Sequence, residues 1–249
     1  MFILGGKTSY ELLKRYSLLI TISYNCLMPS LKDNFLLDPN IHFLNHGSFG
    51  ATPKPVFREY QRWQRELECQ PVEFLGRRHD RLMAESRAVL AKYLGTHAQN
   101  LVYTQNVTIA LNIIAHSLDL GSSDEVLSTN HEYGALDRTW RFLSKERGFA
   151  YINQNISVPI MSRDEFIREF WSGVTPRTRV IFLSHITSPT AIHLPIEEII
   201  RRAREAGIIT IIDGAHAPGQ VSISLDELGA DFYGGNLHKW MCVINHFIT

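Results

Sequence analysis

The chain has 249 residues, 45% of them hydrophobic and 20% charged, with 25 basic residues balancing 25 acidic ones. That length suits one large domain or two small ones, and the composition excludes a disordered chain, a collagen-like fibre and a disulfide-stapled miniprotein. Zero formal net charge leaves no global field to draw in nucleic acid or an anionic membrane. The three cysteines, Cys26, Cys69 and Cys242, form no CxxC pair, so reduced thiols and a cytoplasmic location are expected. No apolar run approaches the ~18 residues that span a bilayer, and no membrane partner is expected.

In chain order, Lys7, Lys14 and Arg15 precede a mostly apolar stretch ending at Met28, which imitates a signal peptide. Glu11, Asn25 and the lack of a clean small-x-small site weaken that reading. Translation starting at Met28 explains the segment better, so residues 1–33 are assigned to an N-terminal extension. From Pro53 and Pro55 a helix is predicted, with Val56, Tyr60, Trp63 and Leu67 at helical spacing. A second helix reads from about Asp80 to Leu94, stopped by Gly95. Residues 100–104 are predicted as a strand and residues 107–118 as a helix apolar on most sides, hence well buried. Strands then follow at 125–128, 150–156, 179–184, 208–212 and 231–233. Helices at 134–147, 163–171 and 195–206 alternate with them. The run Ile208-Ile209-Thr210-Ile211-Ile212 has no polar face, so it must be covered on both sides. The whole predicts an α/β fold, a mostly parallel sheet sandwiched by helices.

In such sheets the ligand crevice lies at the carboxyl ends of the strands. Asp213 follows the 208–212 strand, and a desolvated carboxylate there requires a cation or donor opposite it; a turn or helix-cap role is the alternative. Lys239 sits among Phe232, Tyr233, Trp240 and Met241. Such surroundings weaken its hold on a proton and make it a usable amine nucleophile, unless it simply snorkels over an apolar patch. Asn106, Val107 and Thr108 open a helix, and its free N–H groups offer an anion seat where a plain cap is the alternative. Tyr133 places a ring on the same rim, and Ser188 stands in the polar loop after the 179–184 strand. Carboxylate, amine, anion seat, ring and hydroxyls together suit a pyridine aldehyde that carries a phosphate. No GxGxxG or GxxxxGK[ST] motif occurs. No HExxH is present either and the eleven histidines are scattered, so no metal site is assigned.

The stretches LNHGSFG (44–50), TQNVTIALN (104–112), HEYGA (131–135), LSHITSPTA (183–191), DGAHAPGQ (213–220) and NLHKW (236–240) resemble the class V aminotransferases of fold type I, in particular the isopenicillin N epimerase-like branch near the cysteine desulfurases. The resemblance covers roughly residues 34–242 and implies the large domain of that fold, with pyridoxal 5'-phosphate as cofactor and an amino acid as substrate. It implies that Lys239 forms a Schiff base with the cofactor, that Asp213 pairs with the pyridine nitrogen, and that His216 lies near the ring and its phenolic oxygen. It also implies that Tyr133 stacks on the ring and that Asn106, Val107 and Thr108, completed by Asn236 and His238, seat the phosphate. Asn45 and His46 would lie near the substrate entrance, and Ser188 stands where the family has an asparagine contact. Family members continue well beyond the lysine. The expectation is therefore a chain that lacks the small C-terminal domain, with 243–249 as an aberrant tail, and a homodimer when full length. The alternative to an epimerase-like enzyme is a cofactor-binding fragment without turnover. Desulfurase or other lyase chemistry fits less well, since Cys69 falls on a helix and Cys242 beside the lysine, neither on a mobile loop.

Overall fold

The computed structural model describes residues 31–244. The assigned extension at 1–33 and tail at 243–249 lie almost wholly outside the described residues. Helix α1 (Lys54–Cys69) starts with proline in its first turn, where the missing N–H costs nothing. A short helical turn and a π-helical turn (Phe74–Arg78) lead into α2 (His79–Leu94), which Gly95 ends in the left-handed conformation. Then follow α3 (Val107–Ser117), β1 (Glu125–Thr129), α4 (Gly134–Arg147), β2 (Ala150–Gln154), α5 (Arg163–Trp171), β3 (Thr178–Ser184), α6 (Ile196–Glu205), β4 (Ile209–Gly214), α7 (Leu225–Leu228) and β5 (Phe232–Gly235).

The strands form one sheet in the order β2-β1-β3-β4-β5, parallel throughout. Both faces are covered. Leu111 of α3 and Leu136 and Trp140 of α4 pack with Val126, Phe182 and Ile211 on one face. Phe166 and Phe170 of α5 and Ile199 and Ile200 of α6 pack with Ile181, Leu183 and Ile212 on the other. This is the α/β sandwich that the alternation of periods predicts. Among the described residues no helix is long and apolar enough to cross a membrane.

Three details differ from the sequence reading. Residues 100–104 are not a strand: Ala98–Asn100 is a 3-10 turn, and Val102 beyond it is 83% exposed. The apolar triplet pairs with none of the five strands, and strand propensity alone does not hold an unpaired segment in a ladder. Helix α3 is not buried all round; Val107, Leu111 and Ala115 form one buried stripe while Ile113 is 57% exposed. Strand β4 runs on through Asp213 to Gly214, because Asp213 pairs with Ser184 on one side and Gly234 on the other.

Candidate active site

The chain visits β1, then β2 on one side, then β3 on the other. Its connections therefore diverge between β1 and β3, the kind of point where parallel sheets open a crevice at their carboxyl ends. A cavity of about 300 Å³ lies there, lined by Asn106, Val107, Thr108, Tyr133, Ser188, Asp213, Asn236, His238 and Lys239. Nine residues singled out from sequence thus meet in one place. Ser48, Phe49, Ile109, Ser184, Ile186 and Ala215 complete the lining.

Asp213 is held by the ladder, buried, and accepts one hydrogen bond on Oδ1 from the N–H of Ala215 (2.9 Å). Among the described residues its Oδ2 has no hydrogen-bond donor. Burial pushes the carboxyl up to about 6, against the pull of that N–H and of the charge on Lys239. Burial also lowers Lys239, and Asp213 opposes the shift. The lysine Nζ lies 3.1 Å from Nε2 of His216, whose Nδ1 accepts from the indole N–H of Trp240 (3.3 Å). Burial, and then the lysine charge, push His216 down to about 4.

The first turn of α3 is partly occupied. Asn106 caps it by accepting from the N–H of Ile109 (3.0 Å), and buried Asn236 accepts the N–H of Val107 (3.0 Å). The N–H of Thr108 has no hydrogen-bond acceptor among the described residues, and Thr108 lines the cavity. Asn236 therefore ties the end of β5 to the first turn of α3, so its carbonyl is spent on the helix.

Two expected residues stand apart. Asn45 and Ser48 close a local turn on each other (2.9 and 3.1 Å), and the ring of His46 packs against Phe43 and Trp240. Neither Asn45 nor His46 lines the cavity, whereas their neighbours Ser48 and Phe49 do. Gly50 explains the close approach: its N–H donates to the carbonyl of His238 (3.1 Å), and a side chain there would strike the carbonyl of Lys239. His216 reaches the lysine from outside the lining. Beneath the cavity lies Glu132, which sequence reading passed over; it accepts from the hydroxyls of Thr129 and Ser184 (2.6 Å each). Burial pushes it up to about 7, opposed by those hydroxyls and reinforced by Asp213.

The aminotransferase class-V family model matches residues 44–243. Isopenicillin N epimerase from Amycolatopsis lactamdurans is 34% identical over 213 residues, 84% of this chain and 53% of the relative. Putative L-cysteine desulfhydrase 2 from Oryza sativa subsp. japonica is 31% identical over 213 residues, 79% of this chain and 44% of the relative. Among solved structures, a C-DES mutant with glycine covalently linked to its PLP cofactor superposes with a TM-score of 0.75 at 22% identity, covering 86% of this chain and 56% of that one. The fold is the large-domain fold of type I pyridoxal phosphate enzymes. The chain belongs to the aminotransferase class-V family, whose members are pyridoxal phosphate-dependent enzymes. It spans about half the length of the curated relatives it matches.

Proposed function

We propose that this chain binds pyridoxal phosphate in the cavity at the strand ends and acts at the Cα of an amino acid, in the manner of an isopenicillin N epimerase. One observation carries the reading: the Lys239 amine and the buried Asp213 carboxylate line the same cavity as the open end of α3. The residues fit the cofactor. The free oxygen of Asp213 suits a ring N–H, the N–H and hydroxyl of Thr108 suit a phosphate, and the exposed ring of Tyr133 suits a stacking face. When bound, the cofactor supplies an aldehyde for an amine and a ring that takes up charge from the substrate Cα.

The protein's own groups set the proton positions. The Trp240 indole can only donate, so Nδ1 of His216 accepts and its proton sits on Nε2. That N–H points at Lys239 Nζ, a contact that is favourable only when the lysine is a neutral amine. Burial favours the same form. Lys239 is thereby kept ready to attack and to carry a proton, while His216 and Trp240 act as positioning residues. Asp213, whose carboxyl burial pushes up to about 6, would pair through its negative charge with a positive ring nitrogen of the bound cofactor. Similarity to an L-cysteine desulfhydrase supports a second reaction type on the same residues, which sulfide release from L-cysteine would distinguish from epimerisation. Balanced charge and scattered thiols support a cytoplasmic location, and the family resemblance supports a homodimer.

The test is to mix the purified chain with pyridoxal phosphate, reduce with borohydride and map the modified peptide. One label per chain on the peptide containing Lys239, lost in Lys239→Ala, is expected. Labels spread over surface lysines would overturn the assignment.

A further inference from the structure

Side chains alternate along β3, so Ser184 faces the cofactor cleft while His185 faces the opposite side of the sheet. There His185 Nδ1 lies 2.9 Å from the hydroxyl of Tyr233, and His185 Nε2 lies 3.1 Å from Nε2 of His193. His193 is brought back by a tight loop: the N–H of Thr187 donates to the carbonyl of Ile192, Ile186 bridges His193, and the N–H of Leu194 donates to the carbonyl of His185. Glu197 follows on the first turn of α6. One ligand atom from each of His185, His193 and Glu197 lies within 4.8 Å of the others. The three border a second cavity, of about 390 Å³, that shares no lining residue with the cofactor cleft.

Two facing Nε2 atoms either share one proton or aim both lone pairs at a cation. Their spacing is within a few tenths of an ångström of the edge of a tetrahedron with metal–nitrogen bonds of about 2.0–2.1 Å. With the Tyr233 oxygen accepting from Nδ1–H, His185 keeps its lone pair on Nε2, the outer support that metal-binding histidines need. Local charge permits a cation. Arg201 is held between Glu198 and Glu205 (2.7 and 2.5 Å), and Arg204 donates to the carbonyl of Gly229. Arg163 engages Oε2 of Glu197 at 3.0 Å, which leaves Oε1 for a ligand bond.

We propose that His185, His193 and Glu197 bind a divalent transition metal of the zinc class, with a fourth position open to the second cavity. The two imidazoles and one carboxylate are a donor set suited to zinc. The ion clamps the 185–194 loop, whose Ser188 borders the cofactor cleft, onto α6. Metal binding therefore stiffens one wall of that cleft without entering it.

The test uses the full chain, stripped with a chelator and free of pyridoxal phosphate, titrated with zinc against a chromophoric chelator. One zinc per chain at micromolar affinity or tighter is expected, weakened at least about tenfold by His193→Ala and by Glu197→Gln. Both residues are exposed, so both variants retain the fold, which far-UV circular dichroism checks. Cobalt uptake with tetrahedral visible bands in the parent, lost in His193→Ala, would support the same geometry. Absence of stoichiometric zinc uptake, or uptake that neither variant changes, would overturn the site and leave Tyr233, His185 and His193 as a hydrogen-bonded chain.

Discussion

Glu132 is buried against Ser184 of the strand-end cavity with two hydroxyls on its carboxyl, and Asp213 stands close enough to raise it further. Both carboxyls are raised in the fold, so each resists ionisation that the unfolded chain accepts. For Glu132 the cost is absent below pH 4.5 and complete above about 7, so its contribution to stability falls as pH rises through that window. Glu132→Gln removes the charge and keeps an acceptor. Its stability relative to the parent should improve by roughly 1–3 kcal/mol on going from pH 4.5 to pH 7.5, read from urea midpoints at the two values. A difference that stays constant with pH would show that Glu132 is not the titrating group. Sequence offered Asp213 and Lys239 through their positions after strands and among aromatic residues. It offered nothing for Glu132, whose burial depends on Ser184 arriving from a strand 52 positions away.

Helix α3 and strand β5 are far apart in sequence and form one working unit. Asn236 accepts the N–H of Val107, and α3 rests directly on Gly234, where an added Cβ would come within 2.5 Å of Val107 Cγ2 and 3.2 Å of Leu111 Cδ2. Only a glycine lets the helix lie close enough for Thr108 to line the cavity. Gly234→Ala should push α3 outward, cost about 1–3 kcal/mol through overpacking, and weaken pyridoxal phosphate binding by more than tenfold. Binding is followed by the absorbance of the protein-bound cofactor, and pyridoxal without phosphate is the control. If the variant loses affinity equally for both, the helix is not the phosphate seat. The Asn and Thr at the helix start were legible as residues of the cavity lining, and Asn106 caps the helix. The exposure of Ile113 was not, because a periodicity shows which positions are apolar but not how wide a stripe the neighbours cover. The 100–104 run misled for a related reason, since strand propensity has no effect without a partner edge.

The order of the strands in the sheet is a property of the whole molecule that no local pattern contains, although the parallel, doubly covered sheet was readable from alternating periods and from the all-apolar β4. That arrangement makes the two helical layers depend on one another. Phe166 and Phe170 are buried in the layer formed with α5 and α6, their rings stacked at 6.0 Å, while Lys239 and Asp213 line the cavity beneath α3 on the other face. The three central strands β1, β3 and β4 contribute side chains to both layers, so removing one layer's packing strips cover from strands that line the cavity. Phe170→Ala should cost about 3–5 kcal/mol. The loss should appear equally in far-UV circular dichroism and in the fluorescence of Trp240, compared with a Trp240→Phe background to isolate its signal. Coincident transitions mean that the sheet and the site unfold as one cooperative unit. A dichroism midpoint that drops while the Trp240 transition stays in place would show instead that the strand-end cavity is held by α3 and β5 alone, independently of the layer behind the sheet.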